Sequence, residues 1–299
     1  MSEVGPDVIV FGSLHYDILV DGPARPRKGE TIAGTAWWPK CGGKGGNQAV
    51  AVAESGARCA MIGAVAGDDF GRTLLGNLDA KGVDRRFVRI DANASTGMSV
   101  ALFDSDGDYG AVIVSGANLT LDDGDIAAAA DLFAVSRVLV LQNEVPDAAN
   151  AAAASAMRAA GGLVILNAAP ARLPSPDLAA NVDVLVVNAI EAELLAGVPV
   201  VEGLAGALEA ARILARTYPA AVVTAGGDGV ACVTAGGENI AIEAVPVTLV
   251  STHGAGDAFI GMLAASLARG DDLATALDKA NRAAAELVSR PLPVKATAR

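Results

Sequence analysis

Short runs of apolar, mostly β-branched residues recur through this chain, and they limit its fold more than any other feature. They fall at residues 8–11, 60–65, 138–141, 163–166, 184–187 and 222–224. Each is short enough for a strand and predicts one buried on both faces, as in the middle of a parallel sheet. Alanine-rich segments of helical length stand between them, at 47–55, 70–81, 147–160 and 204–216. Parallel strands need a crossover and a helix supplies it. The alternation therefore predicts an α/β fold with a mostly parallel sheet and right-handed connections.

The rhythm breaks twice. Residues 100–104 and 109–114 flank the turn-forming tetrapeptide Ser105-Asp106-Gly107-Asp108, a hairpin signature. Residues 29–41 carry Thr31, Ile32, Trp37 and Trp38 and also read as short strands. Together, segments from about 29–41 and 88–114 predict a small β-sheet that stands on the main one as a lid. Helices expected at 256–268 and 273–289 close the fold. No repeat or low-complexity linker divides the chain, so 1–299 reads as a single domain.

Lys plus Arg number 22 against 34 Asp plus Glu, a formal net charge of −12. That field repels nucleic-acid backbones and excludes general nucleic-acid binding; a small anionic ligand needs a local device to enter it. The mean hydropathy is positive. Yet the longest uncharged stretches, 109–121 and 159–171, fall short of the ~20 residues a membrane span requires. The first residues lack the basic and apolar regions of a secretory signal, so the expected location is cytoplasmic. Cys41, Cys59 and Cys232 have no ligand or disulfide spacing and read as small buried thiols in a reducing compartment. Two histidines, His15 and His253, are too few for a His-based zinc site.

Two glycine-rich segments lead straight into helices. The first is Cys41-Gly42-Gly43-Lys44-Gly45-Gly46-Asn47-Gln48. Its backbone can approach a ligand closely, and the helix start behind it offers free N–H groups and a positive dipole end. The GxxxxGK[ST] spacing is missing, and a ligand-free helix entry is the competing reading. The second is Thr252-His253-Gly254-Ala255-Gly256-Asp257. It fails as a dinucleotide fingerprint because Phe259 stands where the third glycine belongs. It does offer the consecutive amides of Ala255, Gly256 and Asp257 to an anion. Asp257 is either a partner of the helix dipole or the base that a hydroxyl needs when it attacks phosphorus.

Three weaker signals accompany these. Asp17 follows the first apolar run, at the end of the sheet where ligands bind. Asn188 and Glu191, one helical turn apart after another run, suit the water shell of Mg²⁺ but are also ordinary helix punctuation. Thr224-Ala225-Gly226-Gly227-Asp228-Gly229 either lets a planar ring approach the backbone or turns a hairpin.

Taken in order from about 8 to 290, these segments resemble the PfkB family of sugar and nucleoside kinases, most closely its ribokinase branch. The most specific stretches are Gly42-Gly43-Lys44-Gly45-Gly46-Asn47-Gln48-Ala49 and Gly254-Ala255-Gly256-Asp257, with Asn188 and Glu191 between them. The resemblance implies a ribokinase-like three-layer α/β/α fold with a small β-sheet lid. It also implies ATP-dependent transfer of the γ-phosphate to the primary hydroxyl of a pentose, with ribose first among candidates. Asp257 would be the catalytic base, beside an anion cradle of Gly254, Ala255 and Gly256. His15, Asp17, Gly43, Lys44, Asn47 and Glu144 would hold the sugar together with Asp257. Asn188, Thr224, Gly226, Gly229, Gly256 and Asn281 would line the nucleotide site, and Asn188 and Glu191 would organise Mg²⁺ through water. The lid would close over the sugar and also join two copies in a homodimer.

Three positions depart from that branch. His15 stands where its members carry asparagine, either as a variant hydroxyl donor or as the mark of a different substrate. Ser251 replaces the aspartate of a monovalent-cation site, and residues 291–295 lack the small-residue loop that completes it, which speaks against activation by K⁺. Trp37 and Trp38 are adjacent on a strand and so point to opposite faces. Either both pack within the lid or a dimer, or one stacks on a base or sugar and favours a nucleoside. The alternatives are thus a nucleoside or other sugar kinase of the family, or a non-catalytic sugar-binding regulator, which would have no use for Asp257 as a base.

Overall fold

A computed structural model describes residues 5–104, 109–199 and 201–290. The chain begins with β1 (Val8–Phe11), β2 (His15–Asp21), β3 (Ala36–Gly42), α1 (Lys44–Glu54), β4 (Cys59–Ala66), α2 (Asp69–Ala80) and β5 (Asp84–Asp91). A hairpin of β6 (Met98–Phe103) and β7 (Tyr109–Val114) follows, then the short helices α3 (Asp123–Ala128) and α4 (Ala130–Val135). Next come β8 (Val138–Gln142), α5 (Asp147–Ala159), β9 (Leu163–Asn167), α6 (Pro176–Ala179), β10 (Val184–Asn188), α7 (Ala189–Ala196) and α8 (Gly203–Leu214). Strands β11 (Ala220–Thr224), β12 (Gly229–Thr234) and β13 (Asn239–Glu243) precede α9 (Ala255–Ala268) and α10 (Leu273–Ser289).

Each apolar run forms a strand of one sheet, ordered β13-β12-β11-β10-β9-β8-β1-β4-β5. All its pairs are parallel except β11–β12 and β12–β13. Both faces are covered, so strand side chains alternate between two cores. Ile9, Phe11, Leu139 and Leu141 enter one, with Ala149, Ala153 and Met157 of α5. Val8, Val10, Val138 and Val140 enter the other, with Val52 of α1, Leu263 of α9 and Leu277 of α10. The result is three layers, helix, sheet and helix, as the sequence predicts. β1 lies between β8 and β4, so the connections depart to opposite sides of it, and a crevice opens at the carboxyl ends of the strands there.

A second sheet has the order β3-β2-β6-β7, with β2–β3 and β6–β7 antiparallel and β2–β6 parallel. It confirms the expected small sheet but corrects its parts. The hairpin strands form, while the turn at 105–108 lies outside the described residues. Within 29–41 only β3 is a strand; Thr31 and Ile32 belong to an irregular, largely exposed segment rich in glycine, proline and charge. Residues 88–91 belong instead to β5, the edge of the main sheet. An edge strand is wetted on one side, so the charges of Asp84, Arg85, Arg86, Arg89 and Asp91 hide it among loops. Asp17, expected after the first strand, lies in β2, a central lid strand that follows β1. His15 and Asp17 occupy alternate positions there and break the apolar run that marks a buried strand. No helix of the described residues is long and apolar enough to cross a membrane.

Candidate active site

Two helix tips make the centre of the site. α1 and α9 both start after a glycine with positive φ, Gly43 at 82° and Gly254 at 86°, a backbone shape that turns the chain sharply into the helix. They pack closely because Gly261 of α9 has no side chain. A Cβ there would lie 2.4 Å from the Ala51 Cβ of α1. The approach brings Asn47 and Gln48 against Asp257. Asn47 Nδ2 donates to Asp257 Oδ2 at 3.0 Å, and Gln48 Nε2 donates to Asp257 Oδ1 at 3.0 Å. Gln48 Nε2 also donates to Asn167 Oδ1, at the end of β9, at 3.0 Å. Part of Asp257 reaches solvent, yet its carboxylate is densely surrounded by protein. That desolvation raises its pKa, against the opposing pull of Lys44, Gln48 and Asn47, and Glu144 adds to the rise.

Glu144 follows β8 and braces the first glycine segment. Its Oε2 accepts from Ser13 Oγ at 2.5 Å and from the Lys44 amide at 2.8 Å, and His15 Nδ1 lies 3.7 Å away. His15 Nε2 is buried without a hydrogen-bond partner among the described residues. The lid contributes a row of polar groups. Asp17 accepts from Ser99 Oγ at 2.5 Å, and the register sets Lys40 directly opposite Asp17 and Ser99 beside it. A Cβ at Gly42 would lie 2.0 Å from Asp17 Oδ2, so the glycine leaves room for this carboxylate. Burial lowers the pKa of Lys40, while the charges of Asp17 and Asp257 act to raise it. Burial and the cations Lys40 and Lys44 lower that of His253, against the opposing Asp257 and Asp17. Of the tryptophans, Trp38 shares the Asp17 face and stacks on Phe103, centroids 6.5 Å apart, whereas Trp37 points to the other face and is 65% exposed.

The expected nucleotide residues lie along the same edge of the main sheet. Asn188 and Thr224 end neighbouring strands and pair in register. Asn188 Oδ1 accepts from the Glu191 amide at 2.8 Å and Glu191 Oε2 accepts from the Asn188 amide at 2.9 Å, a reciprocal helix cap. Burial raises the Glu191 pKa, opposed by that amide and by the charge of Lys44. Lys44 thus acts on both Asp257 and Glu191. Thr224 Oγ1 donates to the Val187 carbonyl at 3.4 Å. Gly226 and Gly229 lie at the turn between β11 and β12, which is a hairpin. Asn281 ties α10 to the main sheet, its Nδ2 donating to the Glu243 carbonyl at 2.8 Å. In the cradle, the Ala255 amide donates to the Thr252 carbonyl at 3.3 Å. Gly256 and Asp257 stand in the first turn, where amides lack intrahelical acceptors.

The structure therefore gathers His15, Asp17, Gly43, Lys44, Asn47, Glu144 and Asp257 around one crevice, and aligns Asn188, Thr224, Gly226 and Gly229 beside it. Sequence reasoning missed Ser13, Lys40, Ser99 and Asn167, and assigned no role to Gln48. Gln48 had a legible signal, one residue past Asn47 in the glycine motif; the others depend on strand register. Among the described residues no group of three or more His, Cys, Asp or Glu is arranged to hold a metal. The oxygen donors of Asn188 and Glu191 fit a hydrated Mg²⁺, which keeps several of its own waters. Cys59 and Cys232 are buried and Cys41 half-buried, all free, and burial raises their pKa, that of Cys232 to about 12. That leaves them as packed, protonated thiols. A separate surface cavity lined by Arg89, Asp91 and Asp125 has its own charges paired, Arg89 with both acids.

A half-buried carboxylate at a helix tip beside a glycine turn, with Glu144 and Asp17 nearby, is an arrangement suited to phosphoryl transfer to an alcohol. Residues 6–296 match the pfkB family carbohydrate kinase pattern. The ribokinase of Bacillus subtilis is 34% identical over 284 residues, covering 93% of this chain and 91% of that protein. The deoxyribokinase of Salmonella typhi is 32% identical over 275 residues, covering 92% and 90%. The structure of Arabidopsis thaliana ribokinase complexed with ribose and ATP is similar with a TM-score of 0.87 at 30% identity, covering 95% of this chain and 93% of that one. The chain belongs to the PfkB family of carbohydrate kinases.

Proposed function

We propose that this protein transfers the γ-phosphate of ATP to the primary hydroxyl of ribose. The observation that carries the reading is the Asp257 carboxylate, fixed through both oxygens by Asn47 and Gln48 at the tip of α9. Its raised pKa suits a base that must take a proton near neutral pH. In the step proposed, the sugar hydroxyl gives its proton to Asp257 as its oxygen bonds to the γ-phosphorus. The bond from that phosphorus to the bridging oxygen breaks, and ADP leaves. The amides of Ala255 and Gly256, entered through Gly254, would meet the charge on the moving phosphoryl group. The long bond from Ala255 to Thr252 leaves that amide available to a stronger acceptor.

Asp17, Glu144, Lys44 and Asn47 would hold the other hydroxyls, with the Gly43 backbone and the unpartnered His15 Nε2. Asn188, Thr224, Gly226, Gly229, Gly256 and Asn281 would line the nucleotide side. Mg²⁺, held through water by Asn188 and Glu191, would neutralise phosphate charge. Lid closure would bring Asp17 onto the sugar. The opposite lid face exposes Trp37, Val112 at 69% and Val114 at 48%, an apolar patch suited to a second copy of the chain.

The similar identity of a deoxyribokinase makes 2-deoxyribose the competitor to test. Trp38 is already stacked on Phe103, which weakens the argument for a nucleoside base in the lid. ADP release measured across ribose, 2-deoxyribose, other pentoses, hexoses and nucleosides decides among them. Highest kcat/KM with ribose is expected. A nucleoside preference overturns the reading, and sugar binding without turnover establishes the regulator instead.

A further inference from the structure

We propose that Lys40 is a lid-borne positioning residue. Its ammonium, carried on β3 directly opposite Asp17, reaches into the crevice towards Asp257 and keeps that base ionised when the lid is in place. The inference rests on the reading of Asp257 as the base.

Three observations converge on it. First, the lid register puts Lys40, Asp17 and Ser99 in one row across β3, β2 and β6, and side chains of such a row leave the sheet on the same side. Asp17 and His15 mark that side as the one facing the crevice, since His15 lies against Glu144. Second, Lys40 is half-buried while its neighbour Pro39, on the other face of the strand, is exposed, so part of the Lys40 side chain is covered by protein. Third, its charge is felt on both sides of the crevice. Asp17 in the lid and Asp257 on α9 both act on Lys40, and Lys40 acts on His253, four residues before Asp257. The space over Gly42, on the same face as Lys40, is filled by the Asp17 carboxylate, which stands between the lid and the first glycine segment.

The charges that act on Asp257 include Lys44 on α1 and Glu144 after β8. Asp257 acts in turn on Lys40 of β3 and on His253 in the loop before α9, and Asp17 of β2 acts on the same two groups. Lys44 acts on two carboxylates, Asp257 and Glu191. Lys40 supplies a second cation, and it does so from the lid. The charge of the base is thereby tied to the position of the lid.

The test uses Lys40→Met, with Lys40→Gln as a second neutral variant and Lys40→Arg as the conservative one. The first readout is the pH dependence of kcat/KM for the sugar. Losing a nearby cation makes the Asp257 carboxylate easier to protonate, so in Met and Gln the acid limb moves up by at least about 0.5 pH unit. That is about a threefold loss of kcat/KM on the acid side. Arg keeps the limb within a fraction of that shift. The second readout needs no turnover. The chain has two histidines, so the ring resonances of His253 are readily assigned by NMR, and its pKa rises in Met and Gln and stays in Arg.

If no sugar is phosphorylated by the wild type, the proposed activity fails, and the His253 titration still decides the placement of Lys40. An unmoved His253 pKa in both neutral variants overturns the inference. So does a raised sugar KM with an unmoved acid limb, because that makes Lys40 a plain sugar contact.

Discussion

Replacing Gly261 with alanine tests whether the contact between α1 and α9 builds the active site. The new Cβ would meet the Ala51 Cβ at 2.4 Å, the Ala51 carbonyl carbon at 2.7 Å and the Val52 nitrogen at 2.8 Å. Two of these are backbone atoms and cannot rotate away. Ordinary carbon contact needs about 3.5–4.0 Å, so the helices must separate by roughly 1 Å. Overpacking of this kind costs about 1–3 kcal/mol. The functional loss should be larger in proportion. Asn47 and Gln48 reach Asp257 at 3.0 Å, and an added ångström takes both bonds outside hydrogen-bonding range. A misplacement of about 1 Å can cost on the order of 10²-fold in rate. Steady-state kinetics should therefore show kcat/KM down by roughly 10–100-fold. Thermal unfolding should show a Tm lowered by several degrees, at about 2–4 °C per kcal/mol. Adding Ala51→Gly removes the nearest of the three contacts and should restore part of each loss. Wild-type kinetics in Gly261→Ala, or no rescue by the second change, would refute the claim that this packing positions the base.

Three further outcomes are expected. Asp257→Asn should lower ATP-dependent phosphorylation by at least ~10². In the wild type, kcat/KM should fall as pH drops through the raised pKa of Asp257, so the acid limb lies above the ordinary carboxylate value of 3.8; a limb at or below it contradicts the burial argument. Trp37→Glu with Val112→Glu should give a monomer by light scattering while leaving the fold intact, and an unchanged assembly state would show that this lid face joins no second copy. K⁺ titration should leave activity within about twofold, because Ser251 accepts from the His253 amide and lacks a carboxylate's charge; strong activation would show that another group replaces it.

What could be read from the sequence follows from where each residue's partners lie. The central strands were legible because a strand covered on both faces is apolar throughout, as Val8 to Phe11 are. Asp257 was legible because a glycine motif and a helix start stand next to it in the chain. β2 was not, since its His15 and Asp17 serve the crevice and interrupt the apolar pattern. β5 and β13, at the two edges of the main sheet, carry polar residues towards water and resemble loops. Lys40 was invisible for a different reason. It sits two residues before Gly42 and three before Gly43, yet its relation to Asp17 appears only when β2 and β3 are paired in register. Asn188 and Glu191 were foreseen as a pair, but their mutual cap is a local geometry that spacing alone does not distinguish from a shared ligand.

On the proposed reading the grip on the acceptor is divided between two bodies: Asp17 rides on the lid, while Glu144 follows β8 of the main sheet and Asp257 stands on α9. An incoming molecule would then have to span that divide to draw the halves together. Water is too small to do so, and a protein waiting with nucleotide alone would leave the attacker's seat half assembled. Idle destruction of the phosphate donor would stay slow without any group dedicated to preventing it.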